Sequence, residues 1–338
     1  MSVTEIDTTT RRALAFTPME TDWRLVVEAA IHAEDVGYEA VIVPEGWALD
    51  ATVVLGEIAR HTRRIRLATG ILSIWGRTAA TLAMTAATLD DLSEGRFILG
   101  IGASTPTLGE GFHGRSFTRP AARLSATLRD VRLLLDGQRV VGLDGQPGLR
   151  LGLDPRPHLP IWVAALGPRA LETAVRSADG WFPALAPRSR LAHWRKAAVG
   201  DRPTDCRLIS GPLVFPATDV DDGRVAARQL IGWYLTGMGR VYGDVVAASG
   251  FVDEVAALRA ANERPRPGSI VWPVEAEPLL AELAVHGDAV ELERQLTSWD
   301  LAADLVTVTT GPARAADLHR LVAACAPVPH RAVQPIVS

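Results

Sequence analysis

Lysine is almost missing from this chain: Lys196 is the only one, so nearly all of the 35 basic residues are arginines. Barrel enzymes that form Schiff bases need a desolvated lysine as nucleophile. Lys196 sits instead in His193-Trp194-Arg195-Lys196, the pattern of an exposed amphipathic helix, so Schiff-base chemistry is disfavoured. Cysteine is nearly as scarce. Cys206 and Cys325 lie far apart, with no metal-ligand spacing and no disulfide framework, so no metal site is expected. Residues 1–12 are polar and read as no secretory signal, which makes both cysteines reduced thiols of a cytoplasmic protein. A basic excess is also lacking, since the formal net charge is -4, and this argues against nucleic acid as a partner. No apolar run approaches the roughly 20 residues that cross a bilayer, so no membrane partner is expected.

What is present fits one large globular domain. Hydrophobic residues make up 48% of the 338 and charged residues 22%, enough to bury a sizeable core. Short β-rich runs alternate with longer helical patterns, the signature of repeated βα units around a parallel sheet. Strands are expected at 13–16, 40–43, 65–69, 97–101, 161–164, 180–183, 208–214 and 305–309, about eight, which is the barrel number. Crossover helices are expected at 22–36, 78–92 and 120–135; the last begins on Pro120, which suits a first helical turn. Two stretches depart from the repeat. Residues 138–160 carry Asp144-Gly145, a hairpin-turn dipeptide. Residues 219–277 read as a mainly helical insertion after the seventh strand, placed to form a lid. The expected fold is a (β/α)8 TIM barrel spanning 1–338 with that insertion.

In such a barrel the chemistry lies at the C-terminal ends of the strands. Glu45 and Trp47 follow the second strand: a carboxylate able to move a proton or bond a cofactor ring, beside an indole able to exclude solvent. Glu45 reads equally as a cap for a helix at 50–60. Ser73 and Ile74 follow the third strand in the apolar run Gly70 to Arg77, which suits packing on a flat ring or an ordinary buried strand end. Gly102 closes the fourth, and Glu110 and His113 beyond it make a plausible proton-transfer pair, although a lone histidine in a glycine-rich loop is often structural. After the fifth, Ala165, Leu166, Gly167, Pro168 and Arg169 form a small-residue turn running into a helix, which exposes backbone N–H groups to a phosphate or serves as simple punctuation.

Several segments together resemble one family. Residues 64–71 (Arg-Ile-Arg-Leu-Ala-Thr-Gly-Ile), 85–102 with Asp90-Asp91-Leu92-Ser93-Glu94-Gly95-Arg96-Phe97, and 161–168 followed by Ala178-Asp179-Gly180-Trp181 closely resemble the stretches that mark luciferase-like monooxygenases. Within that superfamily the chain is most similar to the branch using the deazaflavin coenzyme F420, through Glu110-Gly111-Phe112-His113-Gly114 followed by Phe117 and Pro120, and through Tyr234 to Gly239 with its Gly-Met-Gly. The resemblance implies a non-prolyl cis peptide bulging the third strand against the cofactor, here Ser73-Ile74. It assigns residues 165–169 to the cofactor phosphate and Glu110 to a polar role near the reacting carbon, with Gly102 and Ala184 among the cofactor contacts. One departure matters: several members follow the acid after the second strand with histidine, where this chain has Gly46.

The first functional reading is an F420-dependent oxidoreductase moving a hydride between the deazaflavin and a small organic substrate. The second is an FMN-dependent monooxygenase using reduced flavin and oxygen. The third is a non-catalytic flavin-binding barrel. The resemblance also implies a homodimer through the second and third helices, and a flavin or F420 reductase as supplier.

Overall fold

The computed structural model describes residues 10–200, 204–218 and 220–328. The polar stretch 1–9 and Asp219, the first residue assigned to the insertion, lie outside them. The strands are β1 (Arg12–Phe16), β2 (Ala40–Val43), β3 (Arg66–Thr69), β4 (Leu72–Ser73), β5 (Phe97–Gly102), β6 (Ile161–Ala164), β7 (Gly180–Trp181), β8 (Arg207–Ser210), β9 (Leu213–Pro216), β10 (Ala284–Gly287) and β11 (Leu305–Thr310). Helices α1 (Trp23–Asp35), α2 (Ala51–His61), α3 (Ala79–Leu92), α4 (Pro106–Gly111), α5 (Pro120–Leu135), α6 (Pro168–Ser177) and α7 (Leu191–Val199) follow strands in the first part of the chain. Then come α8 (Val220–Thr236), α9 (Val241–Ala248), α10 (Val252–Ala261), α11 (Glu277–Leu283), α12 (Ala289–Asp300) and α13 (Ala315–Ala324).

All strand pairings are parallel, and β1 pairs both with β2 and with β11, so the ring closes in the order β1-β2-β3-β5-β6-β7-β8-β11. Eight positions in that ring make the (β/α)8 barrel. Period-two alternation divides the strand residues between two layers. Ala13, Ala15, Ala40, Ile42, Ala68, Ile98, Trp162, Ile209 and Leu305 fill the interior, while Leu14, Val41, Val43, Leu67 and Leu99 face the helices. Alanine dominates the interior positions of the first strands, and Trp162 is the largest side chain in the same cluster.

Acidic residues at the strand entrances lock the register. Asp179 accepts the Ile161 N–H at 2.8 Å and Asp304 accepts the Leu208 N–H at 2.7 Å. Glu34 collects three successive N–H groups, from Arg63, Arg64 and Ile65. Burial alone would push its carboxyl up, but those hydrogen bonds carry it below its ordinary range. At the first residue of β1, the fully buried Arg12 joins Glu293 and Asp300, each at 2.7 Å, tying α12 to the ring.

Three expectations change. The run 208–214 is two short strands broken at Gly211-Pro212, since proline has no N–H for the ladder. The helical segment reaches Leu283 and leads into β10, which pairs with β9 outside the ring. Third, no peptide bond among the described residues is cis, Ser73-Ile74 included. The Ile74 N–H there donates to the Gly102 carbonyl at 3.2 Å.

The bulge of the third strand lies earlier, at Gly70-Ile71. Leu67 pairs with Phe97, but Leu72 pairs with Ile101, so one extra residue has entered the strand between them. Thr69 makes this possible: its hydroxyl donates to the Gly100 carbonyl at 3.0 Å and accepts the Gly100 N–H at 2.7 Å, replacing the ladder bonds that the bulge removes. A Cβ on residue 100 would sit 1.8 Å from the Thr69 carbonyl oxygen, so only glycine allows this approach. Thr69→Val preserves shape but orphans two buried backbone groups, and is expected to cost about 2–4 kcal/mol in a denaturant melt, with Thr69→Ser close to wild type.

Candidate active site

The bulge faces a cavity of about 480 Å³ at the C-terminal ends of the strands. Its floor is made by strand ends, including Ala15, Ile42, Ala164 and Thr307; Gly70 and Ile71 press in from one side. Tyr234 from α8, Met238 from the turn that follows, and Val241 and Tyr242 from α9 roof it. The wall is largely apolar, as expected of a site for a flat organic ring. Two rim residues hold left-handed backbone without being glycine, Ser104 (φ 59°) and Leu185 (φ 57°). Such strain persists where surrounding structure over-determines it, often at functional sites.

Glu45 lines the cavity. Its N–H donates to the Ile71 carbonyl at 3.1 Å, which ties the exit of β2 to the bulge. Both carboxylate oxygens are taken by Arg77, at 2.7 and 3.3 Å, and Arg77 also reaches Asp50 at 3.2 Å. The hydrogen bond to Glu45 is the main reason that the Arg77 guanidinium is held above its ordinary value. Asp50, not Glu45, caps α2, accepting the Thr52 N–H. Position 46 has no room for a side chain, because a Cβ there would meet the Pro18 ring at 2.7 Å. The missing histidine is thus a steric consequence of Thr17-Pro18.

The other expected residues divide. Ala165, Leu166, Gly167, Pro168, Arg169 and Ala184 line the cavity. Pro168 opens α6 with no side-chain cap on Gly167, and the first intrahelical bond there runs from the Leu171 N–H to Gly167. The N–H groups before Leu171 are therefore left for a ligand, at the positive end of the helix dipole. The Trp181 indole fixes this turn by donating to the Ala165 carbonyl at 2.8 Å.

Trp47 is 43% exposed and does not line the cavity. Neither do Ser73 and Ile74, which are buried behind it, or Gly102, which backs onto Ile71. Glu110 and His113 stand outside the lining as well. Glu110 accepts the Phe117 N–H at 3.0 Å, and the His113 ring rests against Gly76 and edge-on to Phe112. Glu110 thereby braces Phe117, which does line the cavity and packs on Trp75 at 5.1 Å, with Arg123 over the indole.

Sequence reasoning missed Thr17 and Tyr242, and gave no individual role to Gly70, Ile71 and Arg77 in the run after the third strand or to Tyr234 in the segment 234–239. Thr17 follows the first strand directly, so the strand-end rule would have found it. No local pattern placed either tyrosine at the site, since only the folding of α8 and α9 over the mouth brings them in.

The chain resembles known proteins over most of its length. A Mycobacterium tuberculosis protein provisionally named a coenzyme F420-dependent oxidoreductase is 30% identical over 328 residues, covering 87% of this chain and 93% of that protein. The F420-dependent tetrahydromethanopterin reductase of Methanopyrus kandleri superposes with a TM-score of 0.73 at 18% identity, over 94% of this chain and 98% of that one. The oxygenating constituent of 3,6-diketocamphane monooxygenase from a Pseudomonas putida plasmid, solved with FMN, superposes with a TM-score of 0.62 at 15% identity, over 94% and 98%. At those identities the two solved structures establish the fold alone. The luciferase-like monooxygenase model matches residues 5–300, and the chain belongs to that family.

Proposed function

We propose that this protein is an F420-dependent oxidoreductase in which hydride passes between the deazaflavin and a small organic substrate. The observation that carries the reading is the pairing, in one cavity, of the Gly70-Ile71 bulge with the uncapped start of α6. A flat ring needs an apolar face to lie against, and its phosphate needs backbone donors within the same pocket. The full-length likeness to a protein named for F420 supports the choice of cofactor.

When bound, the deazaflavin supplies a carbon that accepts or donates hydride. Everything else falls to the chain. Gly70 and Ile71 offer the ring a backbone surface, while Ala165 to Arg169 hold the phosphate through N–H groups, with Arg169 adding charge. The apolar walls and the α8–α9 roof keep water from the reacting face. Glu45, with both oxygens on Arg77, acts as a fixed hydrogen-bonding wall that holds the bulge in place.

An FMN-dependent monooxygenase is the second reading, favoured by the likeness to a barrel solved with FMN. Separate titrations with F420 and FMN, followed by absorbance, decide between them. F420 uptake without comparable FMN uptake is expected, and tight FMN binding with no F420 affinity overturns the reading. Arg169→Glu puts a negative charge at the start of α6 and is expected to weaken F420 binding about tenfold or more in the same titration, with the melting temperature unchanged.

A further inference from the structure

The cavity contains little that could recognise a charged substrate. Among the described residues lining it, only Glu45 and Arg169 bear a formal charge; Glu45 is paired with Arg77, and Arg169 lies at the start of α6. A charged group placed elsewhere in so apolar a wall would lose its hydration without a partner. One hydroxyl pair, however, has unused bonding capacity.

Tyr234 stands at the end of α8, buried but lining the cavity, with its ring held edge-on against Tyr242 at 5.5 Å and 89°. Thr17 stands at the exit of β1. Its hydroxyl oxygen is buried and completes no hydrogen bond, yet it lies close enough to Tyr234 to favour negative charge on the phenol oxygen. Burial, reinforced by Tyr242, acts more strongly and pushes the Tyr234 phenol well above its ordinary value, so its proton stays in place throughout any working pH range. A buried neutral hydroxyl with an unsatisfied neighbour is costly unless a bound group completes the set.

We propose that the Tyr234 hydroxyl donates to the carbonyl or hydroxyl oxygen of an uncharged, mostly apolar substrate, and that the unpartnered Thr17 hydroxyl, which lines the same cavity, donates to the phenol oxygen once the substrate is bound and so fixes where the Tyr234 proton points. The inference rests on the reading of this cavity as the substrate site. Tyr234 is the substrate-contacting residue and Thr17 a positioning residue. A site built around such a donor discriminates against an isostere without the oxygen, because the donor is then left unpaired.

Acetophenone and α-methylstyrene have the same shape but differ in C=O against C=CH2, so they isolate this hydrogen bond. Their affinities for the cofactor-free protein are measured by saturation-transfer NMR, in wild type and in Tyr234→Phe, Thr17→Val and Thr17→Ser. Tyr234→Phe is expected to weaken acetophenone roughly three- to tenfold and leave α-methylstyrene unchanged, which also shows that the variant folds. Thr17→Val is expected to weaken acetophenone about two- to threefold, with Thr17→Ser restoring it. Equal effects on both probes, unchanged acetophenone affinity in Tyr234→Phe, or no acetophenone binding up to its solubility limit overturns the proposal. F420 titration separates this from the cofactor reading. Discrimination of the probes through Tyr234 without F420 uptake overturns only the cofactor reading, whereas F420 uptake with both probes treated alike overturns only this one.

Discussion

The exchange of two hydrogen bonds between the Thr69 side chain and the Gly100 backbone is the constraint on which the rest of the site depends. A parallel ladder that carries an extra residue leaves a donor and an acceptor buried without partners, at a cost comparable to a sizeable part of a domain's stability. Thr69 supplies both partners from one hydroxyl. With that cost offset, Gly70 and Ile71 can leave the strand and enter the cavity, the Ile71 carbonyl can accept from Glu45, and the strand resumes pairing at Leu72. Had the register stayed in step, Ile71 would have remained in the ladder and the cavity floor would have been flush with the strand ends.

Electrostatics follow a similar division of labour. Charges are placed where they fix backbone: Asp179, Asp304 and Glu34 at the strand entrances, Arg12 against Glu293 and Asp300 beneath the ring. At the opposite end they are sparse, and Glu45 is matched by Arg77. The arginine-rich composition suits this use, since a planar guanidinium can engage two carboxylate oxygens or several carbonyls at once, as Arg96 does with Ala59, Thr62, Ile65 and Ser93.

The barrel was legible in the sequence because its strands are short β-rich runs between amphipathic helices, and both signals are local. The turn at Ala165 to Arg169 was legible for the same reason: Gly-Pro at a helix start is written in adjacent residues. The bulge was harder. Its cause is a contact between Thr69 and Gly100, 31 positions apart, and nothing in the local pattern separates Gly70-Ile71 from Ser73-Ile74 as its location. Glu110 and His113 show the reverse difficulty. Their residue types suit proton transfer, but neither lines the cavity: Glu110 holds the Phe117 N–H and the His113 ring packs on Phe112 and Gly76. Strand β10 escaped notice because four residues between two helices carry too little periodicity to register.

The roof has a hydrophobic core of its own. Ala227, Ile231, Leu235, Val246, Val255 and Leu258 pack with Leu279 and Leu283 in a cluster separate from the Ala- and Ile-lined barrel interior. Residues that face the cavity from above are therefore anchored to one packing unit, and the bulge and the start of α6 to another. Over evolutionary time the two can drift at different rates: changes in α8 and α9 can retune which molecule fits without disturbing strand register, while the floor keeps its shape. A lineage built this way can acquire new substrates by repacking helices alone.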